Sequence, residues 1–149
     1  MELTGTTWIV AADAGEARIF EERLRAGEVR ERTDLRARAD SGDQPQSHRH
    51  MATVHESGGF GRHGAGTREA SDEAERRFLR RVAESLEAAA KREAFDRLVL
   101  MAPPRALGLL RAELGPACVR RLDVCDAHER VHDGADAIRQ RLREARAKA

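Results

Sequence analysis

The residues best placed to do chemistry cluster in one tract, His55-Glu56-Ser57-Gly58-Gly59-Phe60-Gly61-Arg62-His63-Gly64-Ala65-Gly66-Thr67-Arg68. Glycines let a backbone approach a ligand closely. Arginine and histidine meet phosphates, and an aromatic ring stacks on a base. Gly58, Gly59, Phe60, Arg62, His63 and Arg68 therefore form a candidate nucleic-acid contact. His55 and Glu56 are groups in the tract able to act as a general base. The same residues also fit a flexible linker, which needs only glycine and polar side chains.

Two other sets of residues could bind metal. Asp13 follows an apolar stretch and opens an Asp-Ala-Gly turn. A carboxylate there either holds a metal, with Asp123 and Asp126 as the available partners, or satisfies its own backbone as an Asx turn. His48, His50, His55 and His63 offer imidazoles, but their spacing matches no closed structural zinc site and no cysteine accompanies them. No cofactor is expected. Cys118 and Cys125 lack CxxC spacing and read as reduced thiols rather than a disulfide framework.

Composition narrows the class. The chain has 149 residues, 36% of them charged and 3% aromatic, with no tyrosine. That length predicts one domain over 1–149, burying roughly two-thirds of the surface its unfolded chain exposes. Much of the apolar content is alanine, so the core must rest on a few Leu, Val, Ile and Phe residues and Trp8. A net charge of +1 does not mark a global polyanion binder; only a local patch would serve. The start Met1-Glu2-Leu3-Thr4 shows no signal peptide and no stretch approaches a membrane span, so a cytoplasmic protein with no membrane partner is expected.

The elements that would position these residues follow from periodicity. Ala74, Phe78, Leu79, Val82, Ala83, Leu86, Ala89 and Ala90 recur at steps of three and four, forming one stripe of a long helix. Ser71 or Asp72 would cap it, and Asp72 with Glu75 has capping-box spacing. Leu98 to Ala102 is a continuous apolar run, a buried strand parallel to a neighbour. Pro104 suits the first turn of a helix reaching Leu114, ended by Gly115-Pro116.

Before that unit, Thr6 to Ala12 and Ala17 to Leu24 read as a hairpin and Val29 to Leu35 as a charged edge strand. Positions 37–67 read as one mobile loop of about 30 residues, with a short helix or strand near Met51 to Val54. After it, Val119 to Val124 reads as a last strand at or near an edge, and Ala135 to Ala147 as a helix facing inward with Ile138 and Leu142. The fold class expected is α/β: a mixed five-stranded sheet, a three-stranded meander followed by strand–helix–strand, with helices on its faces.

Several of these runs resemble the bacterial host-attachment family, described as proteins required for attachment to host cells. They are Trp8 to Asp13 with Ala17 to Phe20, His55-Glu56-Ser57, Glu75 to Phe78, and above all Leu98 to Gly108 with Leu110-Arg111. Family members often carry Asp-Leu-Thr before the last helix, where this chain has Asp126-Ala127-His128. The layout also resembles the central domain of eukaryotic and archaeal peptide-chain release factors, which has a ribonuclease-H-like sheet and a long loop before its long helix. In those factors the loop tip reads Gly-Gly-Gln, and the glutamine helps water attack the ester of peptidyl-tRNA. This chain has Gly58-Gly59-Phe60, and Phe60 has no amide to position water; Gln44 and Gln46 stand outside any such motif.

The resemblance implies a cytoplasmic protein that binds tRNA or the ribosome, linked to translation or ribosome rescue, without the release-factor catalytic residue. Two alternatives stay open: a peptidyl-tRNA hydrolase using His55 or Glu56, and an interaction protein in attachment that does not touch RNA.

Overall fold

A computed structural model describes residues 4–39 and 60–149, with side chains from 5–39 and 68–149. The chain opens with β1 (Thr4–Ala12) and β2 (Glu16–Leu24), an antiparallel pair. Then come β3 (Val29–Glu31), a 3-10 turn at Thr33–Leu35, and β4 (Ala37–Arg38). A 32-residue helix, α1 (Phe60–Lys91), leads to β5 (Arg97–Met101). The chain finishes as α2 (Pro104–Glu113), α3 (Pro116–Arg121), β6 (Leu122–Asp126) and α4 (Ala135–Lys148).

The strands form one mixed sheet in the order β3-β2-β1-β5-β6, with β4 also paired to β2. The fold is α/β, with β5 parallel to both β1 and β6. The Leu98–Ala102 run is continuous because helices cover both faces of the sheet there. Successive residues of a strand point to opposite faces, and β1 divides accordingly. Trp8, Val10 and Ala12 join the core that includes Phe78, Leu79, Leu86 and Leu110, under α1, α2 and α3. Ile9 and Ala11 join Phe20, Val99, Met101, Ile138 and Leu142, under α4. Among the described residues no helix is long and apolar enough to cross a membrane.

The structure corrects the sequence reading in four places. First, α1 starts at Phe60, not at Ser71 or Asp72, so 60–67 is helical backbone rather than loop. Each glycine disfavours helix by about 1 kcal/mol relative to alanine, which is why the tract read as irregular. Once the packed part from Ala74 has formed, however, extending the helix needs no new nucleus. Second, the third strand stops at Glu31. The chain turns through Thr33–Leu35 and returns as β4, where Ala37 pairs with Ala17 and the Ala39 amide donates to the Gly15 carbonyl. Among the described residues the sheet therefore has six strands rather than five.

Third, the last strand begins at Leu122, and Val119 lies in α3. Glu87 of α1 produces that short helix by accepting hydrogen bonds from the Ala117 and Cys118 amides, both at 3.0 Å. A carboxylate at a helix N-terminus satisfies donors left open there, and here it comes from a distant residue that no local pattern reveals. Fourth, Gly115 does not simply end α2; it precedes α3 and leaves room for Glu87. A Cβ at Gly115 would lie 2.5 Å from Glu87 Cδ. The stretch Met51 to Val54 lies outside the described residues.

Candidate functional site

In sheets with parallel strands, sites tend to form beyond the carboxyl ends of those strands. Here β1, β5 and β6 end side by side, bringing Asp13, the Ala102-Pro103 link and Asp126 to one edge. Asp13 Oδ1 accepts hydrogen bonds from the Gly15 and Glu16 amides at 2.9 and 2.8 Å. This is the Asx turn the sequence allowed, and it fixes the carboxylate at the tip of the hairpin. A shallow cleft of about 480 Å³ runs from this turn to Glu75, Pro103 and Arg105. Arg105 is held there by Glu75 at 2.9 Å and Asp72 at 3.2 Å.

The partners offered for Asp13 are engaged elsewhere. Asp123 lies 3.8 Å from Arg25. Asp126 Oδ1 is 2.6 Å from His128 Nδ1, and its Oδ2 accepts from Arg130 Nε at 3.0 Å. Burial opposes charge on Asp126, but His128 and Arg130 outweigh it and hold its carboxyl below the ordinary range. Among the described residues, the ligand-type groups that gather with Asp13 are Glu129 and His132, with one ligand atom from each of the three lying within 4.8 Å of the others. Sequence reasoning passed over both. The signal available was weak: an i, i+3 pair of ligand-type residues in a polar connection.

That connection, 127–134, is fixed from β2. The Arg18 guanidinium donates to the Val131 and Asp133 carbonyls, each at 2.7 Å, and the Val131 side chain is buried. Arg18 is in turn locked by Glu31, through Nη2 to Oε1 at 2.7 Å and Nε to Oε2 at 3.1 Å. Arg36 adds a second guanidinium to Glu31 at 2.7 Å. The hydrogen bond from Arg18, with Arg36 beside it, pulls the Glu31 carboxyl from 4.5 to about 2 despite burial. A group whose folded pKa is depressed stabilises the fold above its unfolded value and loses that contribution as pH falls through the folded one. The urea midpoint should therefore fall as pH drops from about 4.5 towards about 2. Glu31→Gln should flatten that part of the profile, and an unchanged profile would show that the pair contributes nothing.

The residues singled out for nucleic-acid contact are placed as follows. His55, Glu56, Gly58 and Gly59 lie outside the described residues, as do His48 and His50. Phe60, Arg62 and His63 fall on the first turns of α1, and Arg68 is an exposed residue of the same helix. Both cysteines are free, with Cys118 buried. Burial and the neighbouring Glu87 carboxylate push the Cys118 thiol up to about 12, which leaves it no nucleophilic role at neutral pH.

The sequence profile of the family described as "Protein required for attachment to host cells" matches residues 8–142. No curated protein matches the chain. The match runs from the first strand, through the Asp13 turn and both parallel crossovers, into α4. It covers most of the 149 residues, and the chain belongs to the host-attachment family.

Proposed function

We propose that the chain is a cytoplasmic RNA-contacting protein, with tRNA or the ribosome as its target, linked to translation or ribosome rescue. In this reading it shares the release-factor central-domain arrangement and uses the amino-terminal end of α1 as its contact. The observation that carries the reading is the exposure of Arg68. Arg68 lies about five helical turns before Leu86, on the same side of α1, yet Leu86 is fully buried and Arg68 is exposed. Among the described side chains of the helix, from Arg68 on, the first buried one is Ala74. The backbone from Phe60 to His63 lies on the turns of α1 that precede this anchored part. A semi-rigid basic projection suits a phosphate backbone, because less ordering entropy is lost on contact than for a free loop.

The test is co-sedimentation with ribosomes, and binding to tRNA, across a salt series. Binding should fade as salt rises. The double change Arg62→Ala with Arg68→Ala should weaken it and flatten the slope of log affinity against log salt by about 0.7–0.9 for each phosphate no longer neutralised. Phe60→Ala should cost about 1–3 kcal/mol, if the ring stacks on a base, with little change of slope. Release of peptide from tRNA that disappears in His55→Ala or Glu56→Ala would replace this reading with the hydrolase. No RNA interaction at any salt would leave an attachment protein that acts without RNA.

A further inference from the structure

The carboxyl edge of the sheet carries a separate site. We infer that Asp13, Glu129 and His132 bind a divalent cation of the zinc class. Two carboxylates and one imidazole give three protein ligands, the number that leaves zinc with positions open to water. The imidazole sets the site apart from the all-oxygen sets that magnesium and calcium prefer.

The geometry needs only side-chain adjustment. His132 Nε2 stands 3.8 Å from Glu129 Oε2, and one ligand atom from each of the three residues lies within 4.8 Å of the others. Zinc bonds of about 2.0–2.2 Å place tetrahedral donors roughly 3.4 Å apart. Closing the set therefore takes shifts of roughly 1 Å, within the reach of χ rotation at Glu129 and His132, both exposed.

Both backbones that carry the ligands are already fixed. Asp13 spends Oδ1 on the Gly15 and Glu16 amides, which orients the carboxylate and leaves its other oxygen for a cation. Glu129 and His132 ride on a connection held by the Arg18 guanidinium through two carbonyls and by the buried Val131. Outer partners of this kind set the orientation of metal ligands. The local charge points the same way. Arg18 is matched by Glu31, and Arg105 by Glu75 and Asp72. A divalent cation would balance Asp13 and Glu129, which form no ion pair with an arginine among the described residues.

Calorimetric titration of the full chain with zinc chloride tests the site, provided the four histidines between Gln46 and Gly64 are separated from it. One variant changes His48, His50, His55 and His63 to Gln together. Others are Asp13→Asn, which keeps the Oδ1 acceptor of the turn, and His132→Gln. Circular dichroism confirms that each variant is folded. The parent and the four-histidine variant should bind zinc with equal affinity at this edge, with amide shifts confined to 13–16 and 126–133. Asp13→Asn and His132→Gln should each weaken that binding by at least about tenfold. Zinc binding that survives His132→Gln unchanged, that vanishes in the four-histidine variant, or that is absent from the parent overturns the assignment. None of these readouts involves RNA, so the site stands or falls independently of ribosome binding.

Discussion

Phe78→Ala is expected to lower the unfolding free energy by about 3–5 kcal/mol, the range for emptying a buried aromatic position. Phe78 is fully buried where α1 crosses the sheet, in the core shared by Trp8, Val10, Leu79 and Leu100. The facing strand residues are fixed by β1–β5 pairing, and α1 is further fixed to α3 by Glu87. A domain is stable by only about 5–15 kcal/mol in total, so the loss removes a large share of it. Leu100→Ala, on the central strand below, should cost about 2–5 kcal/mol for the same reason. Urea unfolding with an unchanged m-value is the measurement. A Phe78→Ala protein within about 1 kcal/mol of the parent would mean that the α1 stripe does not hold the core.

Breaking one ion pair should cost nearly as much. Glu22, on β2, is 1% exposed and accepts from Arg146 Nη1 and Nη2 at 2.9 and 2.7 Å and from the Ala26 amide at 2.9 Å. Burial works against the charge on Glu22, but the Arg146 guanidinium and the Ala26 amide outweigh it and keep the carboxyl below its ordinary range. The pair fastens the last turn of α4 to the hairpin, while Arg139 of α4 donates to the Ala26 carbonyl at 3.0 Å. Glu22→Ala strands a guanidinium that is mostly out of water, and losing one partner of a buried pair costs about 3–5 kcal/mol. Replacing both Glu22 and Arg146 with leucine should cost less than Glu22→Ala alone, since no charge is then left unpaired. If the double replacement is as damaging as the single, the pair is not what holds α4 down.

Residue pattern alone was sufficient where burial is periodic. The α1 stripe from Ala74, the Leu98–Ala102 run, the first hairpin and the inward Ile138 and Leu142 all came from apolar spacing. Each sits in the core because spacing decides which face a side chain takes. The α/β class followed from the order of those elements, and the host-attachment resemblance rested on the same runs that the family profile spans. The edge placement of β3 and β6 was legible from charge and shortness.

Only tertiary structure decided the rest, because it depends on groups far apart in sequence. The start of α1 at Phe60 overrides three glycines, since a helix already anchored downstream propagates where its own residues would not begin one. The short α3 exists where the sequence promised strand because Glu87, on another helix, caps it. The Asp13 turn was readable as an Asx motif from three adjacent residues, but its companions Glu129 and His132 were not. They reach it only because β1 and β6 run parallel on either side of β5, and because Arg18 holds the connection after β6 against the end of the sheet. Sequence spacing reports what lies on one face of one element; which faces and loops meet is decided when the sheet closes its order.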